Sequence, residues 1–165
     1  MATWAIRPIS PVRWQGGKES YRTFALDTGQ TFKKGAAVVF DTDTNTIKEA
    51  STDPSAIVGF ATCAAADVAE MYDTFGTVVP AVPVALASEN VFRGTFKGTY
   101  DADAHVLGTD YGIALDASGY WVVDETDESN TRVILVGFEE GVQDGDVNIP
   151  VLFRVLPANA VAVSG

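Results

Sequence analysis

"TFKKGAAVVFDTDTNTIKEA", residues Thr31 to Ala50, sets a short apolar run, a cluster of Asp, Thr and Asn, and a second short run in series. Asp41, Asp43 and Asn45 stand at the first three ligand positions of an EF-hand loop. The sixth position is Thr46, where that loop needs glycine, and the twelfth is Thr52, where it needs a bidentate glutamate. The spacing therefore predicts a polar corner between two strands, because Asp and Asn bond their own backbone and tolerate left-handed φ. No metal is expected here.

The same texture continues outward. "SAIVGFATCA", "VPVALAS", "VFRGTF", "GIALD", "YWVVD", "RVILVGFE" and "NIPVLFRVL" are short, rich in Val, Ile and Phe, and parted by Gly, Asp, Asn, Thr, Ser and Pro. That pattern predicts an all-β fold, one β-barrel or β-sandwich domain. Asp116 to Gly119 in "LDASGYW", and Asp144 with Gly145 in "VQDGDV", are hairpin signals. One stretch differs: in "AAADVAEMYDTFG", Ala64, Val68, Met71, Tyr72 and Phe75 fall at helical spacing, which predicts at most one short helix or a structured excursion.

Upstream, residues 1–22 predict an extended N-terminal arm on a body spanning residues 23–165. Pro8 and Pro11 favour extended backbone, Gly16 and Gly17 break it, and Trp4, Ile6, Ile9, Val12 and Trp14 are scattered apolar anchors. Such anchors need cover, from the same chain or from a partner. The arm is also basic. Up to Lys34 six cations face two acids, +4, so the remainder of a chain of net charge −11 carries −15. An acidic body repels nucleic acid. The start "MATWAIRPIS" lacks a secretion signal's charged and apolar regions, and no run approaches the roughly 18 apolar residues of a membrane span. The expectation is a soluble protein made in a cytoplasm, with neither nucleic acid nor membrane as partner.

Nothing in the chain selects a reaction. His105 is the only histidine and Cys63 the only cysteine, so no disulfide and no Cys-type zinc site can form within the chain. No G-x-S-x-G elbow and no glycine-rich phosphate cradle occurs. The acid clusters Asp101 with Asp103, Asp124 to Glu128, and Glu139 to Asp146 lack a defined ligand spacing, and no pair among them is singled out for glycoside hydrolysis. The expectation is a protein that docks: not an enzyme, with no cofactor, no metal and no catalytic residue.

The order of segments resembles a known family. "GQTFKKGAAVVFDTDTNTIKEASTDPSAIVGFATCAA", "VPVALASENVFRGTFKGT" and "VILVGFEEGVQDGDVNIPVLFRVL" are similar to stretches of capsid cement, or head decoration, proteins of tailed bacteriophages, over roughly residues 24–156. The resemblance lies in segment order and texture, without a catalytic motif. It implies a β-rich body that assembles as a homotrimer on the outer surface of an icosahedral head and bridges neighbouring major capsid protein subunits, commonly with N-terminal arms. The arm residues that would dock are Trp4, Ile6, Arg7, Ile9, Val12, Arg13 and Trp14, and a body lacking residues 1–17 is expected to stay folded. Two alternatives remain open at this point: a glycan- or receptor-binding β module of the virion using Tyr100, Tyr111, Tyr120 and Trp121, and a tail component.

Overall fold

A computed structural model describes residues 1–13, 18–72 and 75–163. The chain is all-β, with a closed five-strand barrel and a second sheet. Its strands are β1 (Ser10–Val12), β2 (Tyr21–Ala25), β3 (Ala37–Asp41), β4 (Thr46–Glu49), β5 (Gly59–Ala61), β6 (Ala69–Tyr72), β7 (Val78–Leu86), β8 (Val91–Thr99), β9 (Asp110–Leu115), β10 (Trp121–Asp124), β11 (Val133–Phe138) and β12 (Val147–Val155).

The barrel runs β8-β10-β9-β11-β12 and returns to β8. Only the β8–β10 contact is parallel. Closure requires bent strands, and two register shifts supply the bends, at Leu135/Gly137 in β11 and Val147/Ile149 in β12, where Asn148 takes φ 56°. Inside, Phe96, Tyr111, Ile113, Val123, Leu135, Ile149 and Val151 are buried.

The second sheet runs β2-β7-β5-β3-β4, with β6 on the free portion of the β7 edge beyond β5. It curls until its ends touch: Leu26 bridges Ile47, and the Asp27 amide donates to the Ile47 carbonyl at 2.9 Å. The corner that opened the sequence is the β3–β4 turn. Asn45 takes φ 55°, its amide donates to the Asp41 carbonyl, and the Asp43 amide donates to Asp41 Oδ1. Lys48 pairs with the same Asp41 at 2.8 Å.

One continuous apolar core joins the two sheets. Phe60 from β5 meets Phe92 edge-on with centroids 4.7 Å apart and Phe153 at 5.9 Å. Polar ties reinforce the seam: Trp121 Nε1 donates to Glu49 Oε1 at 2.9 Å, and Arg132 Nε donates to the Pro54 carbonyl at 2.7 Å.

The N-terminal segment is part of this body. β1 pairs antiparallel with Val91 to Arg93, on the β8 edge that β10 occupies further along at Phe96 and Lys97. Ile9, just before β1, is 1% exposed. It sits in a slot with Gly35 on one side and Gly94 on the other. A Cβ at Gly35 (φ +85°) would stand 2.5 Å from the Ile9 amide nitrogen, and one at Gly94 would stand 2.9 Å from Phe153 and 3.2 Å from Ile9 Cγ1. Where the sequence suggests an arm separate from the body, Ile9 enters the core, Trp4 packs against it and β1 pairs with a barrel strand. The expected 22/23 boundary also falls inside β2.

The stretch read as at most one short helix or a structured excursion holds both kinds of element. Ala65–Asp67 forms one 3-10 turn, and Ala69–Tyr72 is strand β6.

Ile9→Ala is expected to destabilise the protein by about 2–5 kcal/mol, the usual range for truncating a buried aliphatic side chain. Gly94→Val should also destabilise, by overpacking against Phe153. Urea denaturation measures both, and an Ile9→Ala loss under about 1 kcal/mol would show that the slot is not core.

Candidate docking surface

The extreme N-terminus is tied down by one carboxylate. Buried Asp146 accepts from the Ala2 amide through Oδ1 at 2.6 Å, and through Oδ2 from the Gln143 amide at 3.1 Å and the Trp4 indole N–H at 3.3 Å. Backbone bonds on both sides complete the clasp. The Trp4 amide donates to the Val147 carbonyl, and the Val147 amide donates to the Ala2 carbonyl. Asp144 and Gly145 therefore do more than turn the chain between β11 and β12: the loop they belong to carries the anchor for residues 2–4.

The expected docking residues divide accordingly. Ile9 is spent on the protein's own core and is not available to a partner. Trp4 is half-buried against that core, and Ile6 and Val12 are also half-buried. Arg7 and Arg13 are exposed. Trp14 lies outside the described residues. What the arm offers outward is charge more than apolar area.

Between the arm and β8 lies a cleft of about 200 Å³. Arg7, Lys34, Arg93 and Glu139 line it, with Trp4, Pro8 and Pro150 as its apolar walls. Arg93 pairs with Glu139, its Nη2 donating to Oε2 at 2.6 Å, while its buried Nε lies against Oε1 without making a hydrogen bond. Buried Thr95 accepts from the Arg7 amide through Oγ1 at 3.1 Å, which holds the backbone where Arg7 emerges.

A second surface escaped the sequence-based expectations. Strands β6 and β7 form a hairpin whose far end exposes Tyr72 by 72%, Phe75 by 92% and Val78 by 49%. Beside it runs a hollow lined by Ala25, Thr44, Asn45, Met71 and Val79. The helical spacing of Met71, Tyr72 and Phe75 concealed this, because a hairpin and an amphipathic helix can place apolar residues at the same intervals over so short a stretch. Pairing with the vacant β7 edge decides for strand. Along the outer edge of β6, the described residues form no further ladder.

The remaining residues singled out from sequence are structural. His105 Nδ1 accepts from the Asp101 amide at 3.0 Å, its Nε2 lies 3.9 Å from Glu125, and its ring packs with Phe96, Tyr100 and Tyr111. Asp101, Asp124 and Asp127 each cap their own turn through Oδ1. Among the described residues no cluster of three or more His, Cys, Asp and Glu is placed to hold a metal. Burial, then Asp67, pushes the Cys63 thiol up, away from the thiolate a nucleophile needs. Of the aromatic set proposed for glycans, Tyr111 and Trp121 are buried in the core, and Tyr120 lies under the Lys33 ammonium at 4.7 Å.

No protein-family model matches the chain, and no curated protein matches its sequence.

Asp146 makes the N-terminal clasp sensitive to acid. The Ala2 amide foremost, then the Gln143 amide and the Trp4 indole, hold its carboxyl below the ordinary value, against the opposing effect of burial. A depressed folded pKa means that the clasp contributes fully above the unfolded value of about 3.9 and is lost as pH falls through the lower folded value. The Trp4 indole N–H resonance should therefore hold its position down to about pH 4 and shift only in stronger acid. Asp146→Asn should abolish that transition. Titration of the wild-type resonance centred at or above the ordinary carboxylate value would contradict this account.

Proposed function

We propose that this protein is a structural component of a tailed-phage virion that binds the outside of the icosahedral head and strengthens it by bridging major capsid protein subunits. In this reading it is made in the host cytoplasm, acts as a homotrimer, carries out no reaction and needs no cofactor. The observation that carries the reading is the β6–β7 hairpin, which concentrates Tyr72, Phe75 and Val78 at one exposed end of an otherwise closed β body. Such concentrated apolar exposure on a folded chain is characteristic of a surface awaiting a protein partner.

Two further properties support it. The segment order resembles head decoration proteins, and a net charge of −11 keeps the body from the packaged nucleic acid, which favours the shell as the partner. The mechanical requirement of such a role is buried area in many copies. A trimer that has seated one hairpin presents the other two at high effective concentration, so contacts that are weak singly hold the assembly in place.

The hairpin is the part to test, since its tip side chains are outside the core. Tyr72→Ser with Phe75→Ser should leave the melting temperature nearly unchanged while weakening binding to undecorated heads by about 100-fold or more. That corresponds to losing about 3 kcal/mol of apolar burial. Saturation of heads by the double variant at wild-type concentrations would defeat the hairpin assignment, and a monomeric mass both free and on heads would defeat the trimer.

A further inference from the structure

The cleft between the arm and β8 is cationic on a strongly acidic protein. Arg7, Lys34 and Arg93 line it against a single acid, Glu139. Arg93 and Glu139 neutralise one another, which leaves Arg7 and Lys34, both exposed and neither in an ion pair among the described residues. Like-signed side chains held at one place without a counter-charge raise the local potential and favour an anion.

The walls are built rather than incidental. Thr95 fixes the backbone of Arg7, and the close approach of Gly35 to Ile9 brings Lys34 to the arm. On the other side, the indole of Trp4 is held by Asp146. The ion pair of Arg93 with Glu139, in which Nη2 donates to Oε2, shows that a carboxylate fits the chemistry of this cleft.

We propose that the cleft binds a carboxylate side chain presented by an acidic peptide segment of another protein. The volume of about 200 Å³ corresponds to several waters, more than a bare anion fills, and Trp4, Pro8 and Pro150 offer apolar contact to the peptide beside the carboxylate. A nucleic acid would bring a polyanion against a body of net charge −11. Several acids of the chain's own loops are already committed within the chain. Asp101, Asp124 and Asp127 cap their turns, and the carboxylates of Glu125 and Asp127 are packed over Gly98 and Gly112. The inference is independent of the capsid reading, and its test requires no phage particle.

The full-length protein is titrated at low salt with the blocked peptide acetyl-GELEG-amide, and binding is followed by calorimetry. One peptide should bind per chain. Its glutamine counterpart, acetyl-GQLQG-amide, should bind at least about tenfold more weakly, and about 0.5 M salt should reduce the difference, as it screens exposed charges. Arg7→Glu with Lys34→Glu should remove the preference for the glutamate peptide while leaving the melting temperature close to wild type. Equal affinity for both peptides, an unaltered preference in the double variant, or displacement by equimolar inorganic phosphate would overturn the proposal. So would an absence of binding at low salt, or a peptide effect arising only from self-association seen by sedimentation.

Discussion

Everything in this fold leans on the seat of Ile9 between Gly35 and Gly94. The slot belongs to neither sheet alone: Gly35 leads into β3 of the second sheet, and Gly94 lies on β8 of the barrel. A side chain wedged there couples the two and fixes the N-terminal segment against both. From that one placement follow the pairing of β1 with β8, the route of residues 2–8 to the Asp146 clasp, and the position of the cleft. A side chain at Gly35 would collide with the Ile9 backbone, and one at Gly94 would press on the Phe153 ring and crowd Ile9.

Closure of the barrel has a consequence for the outer surface. A ring of five strands satisfies its own backbone, and β1 covers the stretch of β8 that β10 leaves unpaired. Edges are hazards where they remain open, because they invite further strands. The second sheet limits its own by curling until β2 and β4 meet at Leu26 and Ile47. The β6–β7 hairpin stands apart from this economy, with exposed side chains at its tip and a strand edge along its length. Other large apolar side chains are exposed as well, among them Phe40, Leu115 and the neighbours Val106 and Leu107, but Tyr72 and Phe75 are the most exposed aromatics among the described residues.

Charge is distributed with similar economy. Many acids are consumed locally: Asp41 with Lys48, Asp116 with Lys97 and the Ser118 amide, Asp146 with the N-terminus. The Lys97 ammonium and the Ser118 amide hold the Asp116 carboxyl far below its ordinary range. These groups shape turns and anchor segments, so the acidity of the sequence is in large part architectural. The cations of the first 34 residues are used differently, and Arg7 and Lys34 come to rest at the cleft mouth without counter-charges.

What the sequence determined by itself is what short-range chemistry determines. The β3–β4 corner, the Asp116–Gly119 hairpin and the strands from β3 to β12, apart from β6, were legible because β-branched and aromatic runs bounded by turn residues have few other uses. The all-β class follows from them. The tertiary structure alone decided whether "AEMY" was helix or strand, since that turned on a vacant edge of β7 contributed by residues 78–81. It alone decided that Ile9 and Trp4 serve the chain's own core, because the slot is formed by glycines 26 and 85 residues from Ile9 and the clasp by Asp146. Contacts of such sequence separation leave no periodic mark on the residues that make them, and so they become visible only when the chain is folded.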